Sequence, residues 1–408
     1  MRSNTANTPS ATSTKAMPAA ARTVFALLRR LEVGSLTVQL PDGSVQRFGE
    51  QAQPHGTLCL HNWKPFAAAL KSGDIGFAES YIAGDWTSSN LTELLRLLIR
   101  NREVIDRAIF GSWWGVALYR IKHLLKRNTR GNSKKNIHAH YDLGNSFYTL
   151  WLDDSMNYSS ALFGSDLTQS TTSAQNAKVR RALTEVAAAP GARILEIGCG
   201  WGALAEMAAR DFGAHLSGVT LSTEQLAFAQ QRMQRLGVAD QVDLRLQDYR
   251  DIRDAPFDAI CSIEMLEAVG QEFWPTYFQT VARLLKPGGR ACIQSIVIAD
   301  SLFERYLRNT DFIQQYIFPG GCLPSPSALR QQAQAAGLEV VNELAFGHDY
   351  AETLKRWRDS FLARRADVLA GGFDQRFMHI WEFYLAYCEA GFAEDNLDVV
   401  QITLRKPA

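Results

Sequence analysis

No run of apolar residues in this chain approaches the ~18 needed to cross a bilayer, so no membrane-spanning helix is predicted. Cysteine is scarce and scattered: six residues (59, 199, 261, 292, 322, 388), with no Cys-x-x-Cys pair. That pattern excludes a disulfide or zinc framework and predicts reduced, mostly buried thiols in a cytosolic protein. Neither sign of charge dominates, with 43 Lys and Arg against 42 Asp and Glu, which argues against a globally nucleic-acid-binding protein. His138 and His140 stand beside Asp142, but no further His or Cys cluster completes a ligand set, so no metal site is predicted. Residues 1–22 lack an apolar core, are rich in Ser, Thr, Ala and Asn, and read as a disordered tail.

Acids are missing altogether between Ala108 and Tyr141, where seven basic residues (Arg120 to Lys135) interleave with Trp113, Trp114, Val116, Leu118, Ile121, Leu124 and Leu125. Cations and tryptophans on one apolar face suit an anionic membrane surface, at about 1 kcal/mol per basic side chain. A solvated connector between domains explains the run equally well, and no nucleic-acid reader motif accompanies it.

With 408 residues, 46% hydrophobic and 21% charged, the chain suits two globular domains. An N-terminal α+β domain is expected over 23–132: a helical pattern at 23–31, then a hairpin through Leu36, Val38 and Leu40, Pro-Asp-Gly-Ser, Val45 and Phe48. A strand at 57–61 and helices at 64–71, 77–82 and 90–109 follow. The second domain, 133–408, alternates strands (193–197, 215–219, 242–246, 257–263, 290–297) with helices (174–188, 222–236, 273–285). That alternation predicts an α/β, doubly wound, Rossmann-like parallel sheet. The stretch 300–330 breaks the rhythm and reads as an insertion over the sheet edge. Strands at 338–345 and 397–404, with aromatic-rich helices 351–369 and 374–391 between them, close the domain.

The centre of this domain is Arg193-Ile194-Leu195-Glu196-Ile197-Gly198-Cys199-Gly200-Trp201-Gly202. It reads as a buried strand, a glycine turn and a helix, the arrangement that binds a ligand beyond a strand's carboxyl end. A dinucleotide would want an acid about 20 residues on, yet the next strand ends in Thr220-Leu221-Ser222. The acid instead precedes the turn, at Glu196, which suits the cationic S-adenosylmethionine. Asp248, Tyr249, Glu267 and Gln294 also fall at or near strand ends on the ligand side. Glu267 lies among Met265, Leu266, Ala268 and Val269, where an unpaired carboxylate is costly. An exposed loop acid would show the same pattern. The late aromatics (Trp357, Phe361, Phe373, Phe377, Trp381, Phe383, Tyr384, Tyr387) fit either plain core or a channel for a long apolar substrate.

Several motifs together resemble the cyclopropane-fatty-acyl-phospholipid synthases and the related mycolic acid cyclopropane synthases, as a divergent branch of these S-adenosylmethionine-dependent methyltransferases. They are Ile75-Gly76-Phe77-Ala78-Glu79-Ser80-Tyr81, His140-Tyr141-Asp142-Leu143-Gly144-Asn145, Met156-Asn157-Tyr158-Ser159-Ser160, the glycine turn, Gly218-Val219-Thr220-Leu221-Ser222, Tyr316-Ile317-Phe318-Pro319 and Phe346-Gly347-His348-Asp349-Tyr350. The resemblance implies methyl transfer to the double bond of an unsaturated acyl chain in a membrane phospholipid, followed by proton loss. It implies donor contacts from Tyr158, Ser159, Gly198, Gly200, Thr220, Leu221, Gln225, Asp248 and Tyr249, to which the turn adds Glu196, Trp201 and Gly202. It also implies a bound bicarbonate as base, with Glu267 and Tyr350 matching two of its holders. The family pattern, whose holders are a Cys, a Glu, a His and a Tyr, differs here at three places: its Cys is Ser160, its Glu-His pair is Glu267-Ala268, and its fifth-strand His is Gln294. Ser and Gln can hydrogen-bond an anion, but neither is cationic or strongly basic. Slow proton removal would let a hydride shift give a methyl-branched or methylene chain instead of a ring. The resemblance suggests a homodimer, peripheral on the inner face of the cell membrane, with no nucleic-acid partner. A small-molecule methyltransferase and an inactive lipid-binding homologue are the competing readings.

Overall fold

The computed structural model describes residues 17–109 and 143–408. The basic, tryptophan-bearing segment, the His138–Asp142 motif, the 132/133 boundary and most of the expected tail lie outside those residues.

The first helix begins earlier than the periodicity indicated, at Ala19–Leu28, so residues 19–22 belong to it and not to a tail. Pro18 supplies its extended N-cap, and Ala21, Phe25 and Leu28 share the buried face. The expected hairpin is present: β1 (Ser35–Gln39) runs antiparallel to β2 (Val45–Phe48), with Leu36, Val38 and Phe48 turned inward. β3 (His55–Leu60) lies parallel to β1 on its other side, and β4 (Trp86–Thr87) caps the edge. One helix spans Lys64–Ile82, broken at Ser72 and Gly73. The helices Leu91–Arg100 and Arg102–Ile109 complete this domain.

In the second domain the strands are β5 (Arg193–Ile197), β6 (His215–Thr220), β7 (Val242–Leu246), β8 (Phe257–Ile263), β9 (Leu285–Ile298), β10 (Glu339–Ala345) and β11 (Leu397–Arg405). They form one sheet in the order β10-β11-β9-β8-β5-β6-β7. Strands β7, β6, β5, β8 and β9 are parallel, as expected. The sheet is nevertheless mixed, because β11 enters antiparallel between β9 and β10. β11 follows the helix Gln375–Ala393 after a short turn. The irregular stretch after β9 holds the helices Asp300–Arg308 and Phe312–Tyr316.

The two domains share one apolar core running from Phe25, Leu58 and Phe66 to Trp357, Phe361, Trp381 and Phe383. Polar ties pin the seam: Thr92 Oγ1 donates to Glu389 Oε2 (2.9 Å), Arg96 to Glu394 Oε1 (2.6 Å), and Tyr316 OH to Glu79 Oε1 (2.5 Å). The late aromatics divide between core and cavity wall. Trp357, Phe361 and Trp381 fill core, while Phe383, Tyr384 and Tyr387 line a cavity.

Candidate active site

Two cavities meet above the carboxyl ends of the parallel strands. The first is the glycine-turn cleft. Gly198 (φ 88°) and Gly200 (φ 49°) adopt left-handed backbone, and a Cβ on Gly198 would stand 2.9 Å from Met265 Cγ. The cleft is lined by Tyr158, Ser159, Glu196, Gly198, Gly200, Trp201, Thr220, Leu221, Gln225, Asp248 and Tyr249. Gly202 does not join them. Its α-carbon faces Ala229 and Met233, so its role is close packing between helices Ala203–Arg210 and Thr223–Arg235.

Local structure holds these groups in place. Ser222 caps its helix by accepting from Gln225 N, and the Thr220 hydroxyl donates to Gln225 Oε1 (3.2 Å). Trp201 Nε1 donates to Asn145 Oδ1 (2.7 Å), and Asp248 pairs with Arg250. Glu196 is 3% exposed and its Oε2 has no hydrogen-bond partner among the described residues. Burial pushes its carboxyl up to about 8, with the Lys178 charge opposing. A buried carboxyl short of a partner, beside a glycine cradle, can ionise once a cation seats against it, and S-adenosylmethionine is such a cation.

The second cavity, about 560 Å³, is apolar and runs between the domains. Leu28, Leu36, Leu58, Phe66, Leu94 and Leu98 line it from the N-terminal domain, and Ile296, Tyr350, Leu354, Phe383 and Phe392 from the other. Its size is ordinary for a ligand pocket. Tyr158, Glu264 and Ala268 line both cavities, so this is where they join.

Glu264 follows β8 directly and has φ 48°, a strained value for a residue with a Cβ. Its Oε1 accepts from Ser160 N (2.8 Å) and Gln294 Nε2 (2.7 Å), and its Oε2 from Tyr350 OH (2.9 Å). Three of the residues expected at a bicarbonate site therefore converge, but on a side chain of the protein. Bicarbonate does not fit: the space those donors enclose is filled by the Glu264 carboxylate. The Ser160 hydroxyl turns away to Ala161 O (2.9 Å). Glu267 lies on the apolar cavity, accepts from Ile296 N (2.5 Å), and is not the acid that Tyr350 bonds.

Burial raises the Glu264 pKa, opposed by Lys178, Ser160 N, Gln294 and Tyr350. Burial also pushes Glu267 up to about 8, helped by the Glu264 charge, so near neutrality Glu267 holds a proton, whereas three donors face the Glu264 carboxyl. Lys178 is fully buried, donates to Ser159 Oγ (2.5 Å), and is pushed down to about 8 by burial. Sequence reasoning passed over Glu264 and Lys178. An acid at the carboxyl end of a parallel strand was a visible signal for the first. Nothing in a helical Lys distinguishes a buried one from its solvated neighbours.

The site can therefore hold a cationic donor beside an apolar chain, with one carboxylate at their junction. Comparisons with known proteins agree with this chemistry. A family model described as mycolic acid cyclopropane synthetase matches residues 128–402. Tuberculostearic acid methyltransferase UfaA1 of Mycobacterium tuberculosis is 38% identical over 388 residues, covering 93% of this chain and 90% of that protein. Cyclopropane-fatty-acyl-phospholipid synthase of Escherichia coli is 32% identical over 385 residues, covering 90% and 95%. The solved structure of mycolic acid cyclopropane synthase CmaA1 complexed with SAH and CTAB superposes with a TM-score of 0.63 at 30% identity, covering 67% of this chain and 98% of that one.

Proposed function

Because the chain belongs to the mycolic acid cyclopropane synthetase family of S-adenosylmethionine-dependent methyltransferases, we propose that it C-methylates a double bond in an unsaturated acyl chain of a membrane phospholipid, with Glu264 taking the released proton. One observation carries this reading: the Glu264 carboxylate stands where the donor cleft opens into an apolar cavity of about 560 Å³.

S-adenosylmethionine, held by the cleft residues, supplies an electrophilic methyl group, and an alkene that takes it up becomes a carbocation that must shed a proton. The chain's own groups handle that cation. Tyr158, Tyr350, Tyr384 and Phe392 put aromatic rings on the cavity wall, with Tyr350 and Phe392 rings 4.5 Å apart and the Tyr158 and Tyr384 hydroxyls 2.7 Å apart. Apolar walls keep water from trapping the cation as an alcohol. Glu264, fixed by its three hydrogen bonds, offers one acceptor position. Whether a hydride shift precedes that proton loss decides the product. Loss from the added methyl with the charge on the adjacent carbon closes a cyclopropane. Loss from the same methyl after a 1,2-hydride shift has moved the charge onto the carbon that bears it leaves a methylene chain that reduction would convert to a methyl branch.

The N-terminal domain forms the wall of the acyl cavity, so it is part of the enzyme's substrate site. Arg102 and Ile105, on that wall, lead into the basic, tryptophan-bearing stretch, which supports docking on an anionic bilayer from the cytoplasmic side, by a monomer or a homodimer. No described helix is long and apolar enough to cross a membrane.

The test is S-adenosylhomocysteine release with vesicles of dioleoyl against dipalmitoyl phospholipid. Release is expected only with the unsaturated lipid, with one added carbon in its acyl chains by mass spectrometry and ring or methylene assigned by NMR. Equal release with both lipids, or turnover only on a soluble acceptor, would overturn the reading.

A further inference from the structure

Behind Glu264 a row of buried polar side chains runs away from both cavities. Gln294 Nε2 donates to Glu264 Oε1 (2.7 Å), Gln401 Nε2 to Gln294 Oε1 (2.9 Å), and Arg181 Nη1 to Gln401 Oε1 (2.6 Å). Gln294 and Gln401 are wholly buried and sit opposite each other in the β9–β11 register. Arg181 comes from the helix Thr171–Glu185, where Glu185 Oε1 lies 3.4 Å from its guanidinium. We infer that Arg181 and Gln401 are positioning residues that hold Glu264 as a proton acceptor through a chain of hydrogen bonds that can point only one way.

The direction follows from what the end groups can do. A guanidinium donates and cannot accept, so Gln401 must turn its oxygen to Arg181 and its NH₂ toward Gln294. Gln294 must then present its oxygen to Gln401 and its NH₂ to Glu264. The second Gln401 N–H is also used, on Lys178 O (3.2 Å), which opposes a flip. Were Glu264 to prefer its protonated, donating form toward Gln294, both amides would have to invert against a guanidinium that cannot accept. The row therefore keeps a donor on Oε1 whichever oxygen takes up a proton, and a donor held there stabilises the charged form against the desolvation that raises its pKa. The other titratable groups around Glu264 are Lys178 from the helix Thr171–Glu185, Tyr350 from the helix Gly347–Ala363, Tyr158 from the preceding loop, and Glu267 from its own segment. None of them fixes the orientation of the Gln294 amide.

The inference rests on Glu264 being the base, and the experiment separates the two. The pH dependence of kcat is measured on dioleoyl phosphatidylglycerol vesicles for wild type, Gln401→Glu, Arg181→Met, Arg181→Lys and Glu264→Gln. Gln401→Glu is nearly isosteric but draws the Gln294 NH₂ toward itself and leaves an oxygen facing Glu264. Its acid limb should move up by about one pH unit, a roughly tenfold loss below the limb that is recovered at higher pH. Arg181→Met should shift the same way, and Arg181→Lys, which still only donates, should restore the wild-type limb. A uniform fall in kcat with an unmoved limb would reduce both residues to packing and overturn the inference, while an inactive Glu264→Gln would leave the base assignment standing. A fully active Glu264→Gln would remove the base itself. Should Arg181→Met fail to fold, Gln401→Glu against Arg181→Lys decides the matter.

Discussion

Replacing Glu264 with Gln removes the proton acceptor while nearly preserving its shape. The amide oxygen can take the place of Oε1 and accept from Ser160 N and Gln294 Nε2, and the amide NH₂ can donate to the Tyr350 oxygen, which today donates. The three contacts are kept but the Tyr350 hydroxyl hydrogen loses its present acceptor, and a buried charge is gone; the two effects offset, so stability should move by only about 1 kcal/mol. Methyl-donor affinity should also hold, because Glu196 and Asp248 remain in the cleft and the new amide keeps the shape of its wall. Loss of a placed general base should lower kcat by ~10²- to 10⁴-fold. Glu264→Gly goes further: φ 48° suits glycine, and truncation opens a space faced by the same three donors. Added bicarbonate or formate should then restore part of the rate to Glu264→Gly, while the wild type in carbon-dioxide-free buffer stays indifferent to both. S-adenosylhomocysteine release on unsaturated vesicles reads all of these. A Glu264→Gln variant above a tenth of the wild-type rate, or a wild type that needs bicarbonate, would refute the reasoning.

Tyr350→Phe removes one of the donors to Glu264 and should lower kcat by about tenfold without changing methyl-donor affinity, checked by calorimetric titration. Glu196→Gln should weaken S-adenosylmethionine more than S-adenosylhomocysteine, which lacks the sulfonium charge; equal losses would place the carboxylate away from the sulfur. Leu98→Glu, on the apolar cavity wall, should abolish turnover on vesicles while methyl-donor binding persists. The folded pKa of Glu267, about 8, stands above its unfolded value of 4.5, so the folded protein binds the extra proton between those pH values. Stability should therefore fall as pH rises from about 5 to 8, by a few kcal/mol at most, and Tm against pH should flatten in Glu267→Gln.

Much of the architecture was legible because it rests on local rules. The glycine turn after an apolar strand, the alternation of strands and helices, and the hairpin around Pro-Asp-Gly-Ser are short-range patterns, and each stands where the pattern put it. The methyl-donor cleft was legible for the same reason, since its residues lie at strand ends in consecutive units. Gly202 misled because a glycine needed for a helix to approach its neighbour and one needed for a ligand to approach the backbone look alike.

The base could not be read off in this way. Glu264 and Glu267 stand three residues apart on one segment, and only the approach of Ser160, Gln294 and Tyr350 from three distant parts of the chain separates them. The same holds for Lys178, Gln401 and Arg181, whose burial and orientation are set by β11 entering against β9. Likewise, no single stretch encodes the acyl cavity, whose walls come from both domains. Sequence alone settled the fold and the methyl donor, because both depend on neighbours along the chain. Which carboxylate accepts the proton, and what the apolar space can hold, depended on groups far apart in sequence that meet only once the core has closed.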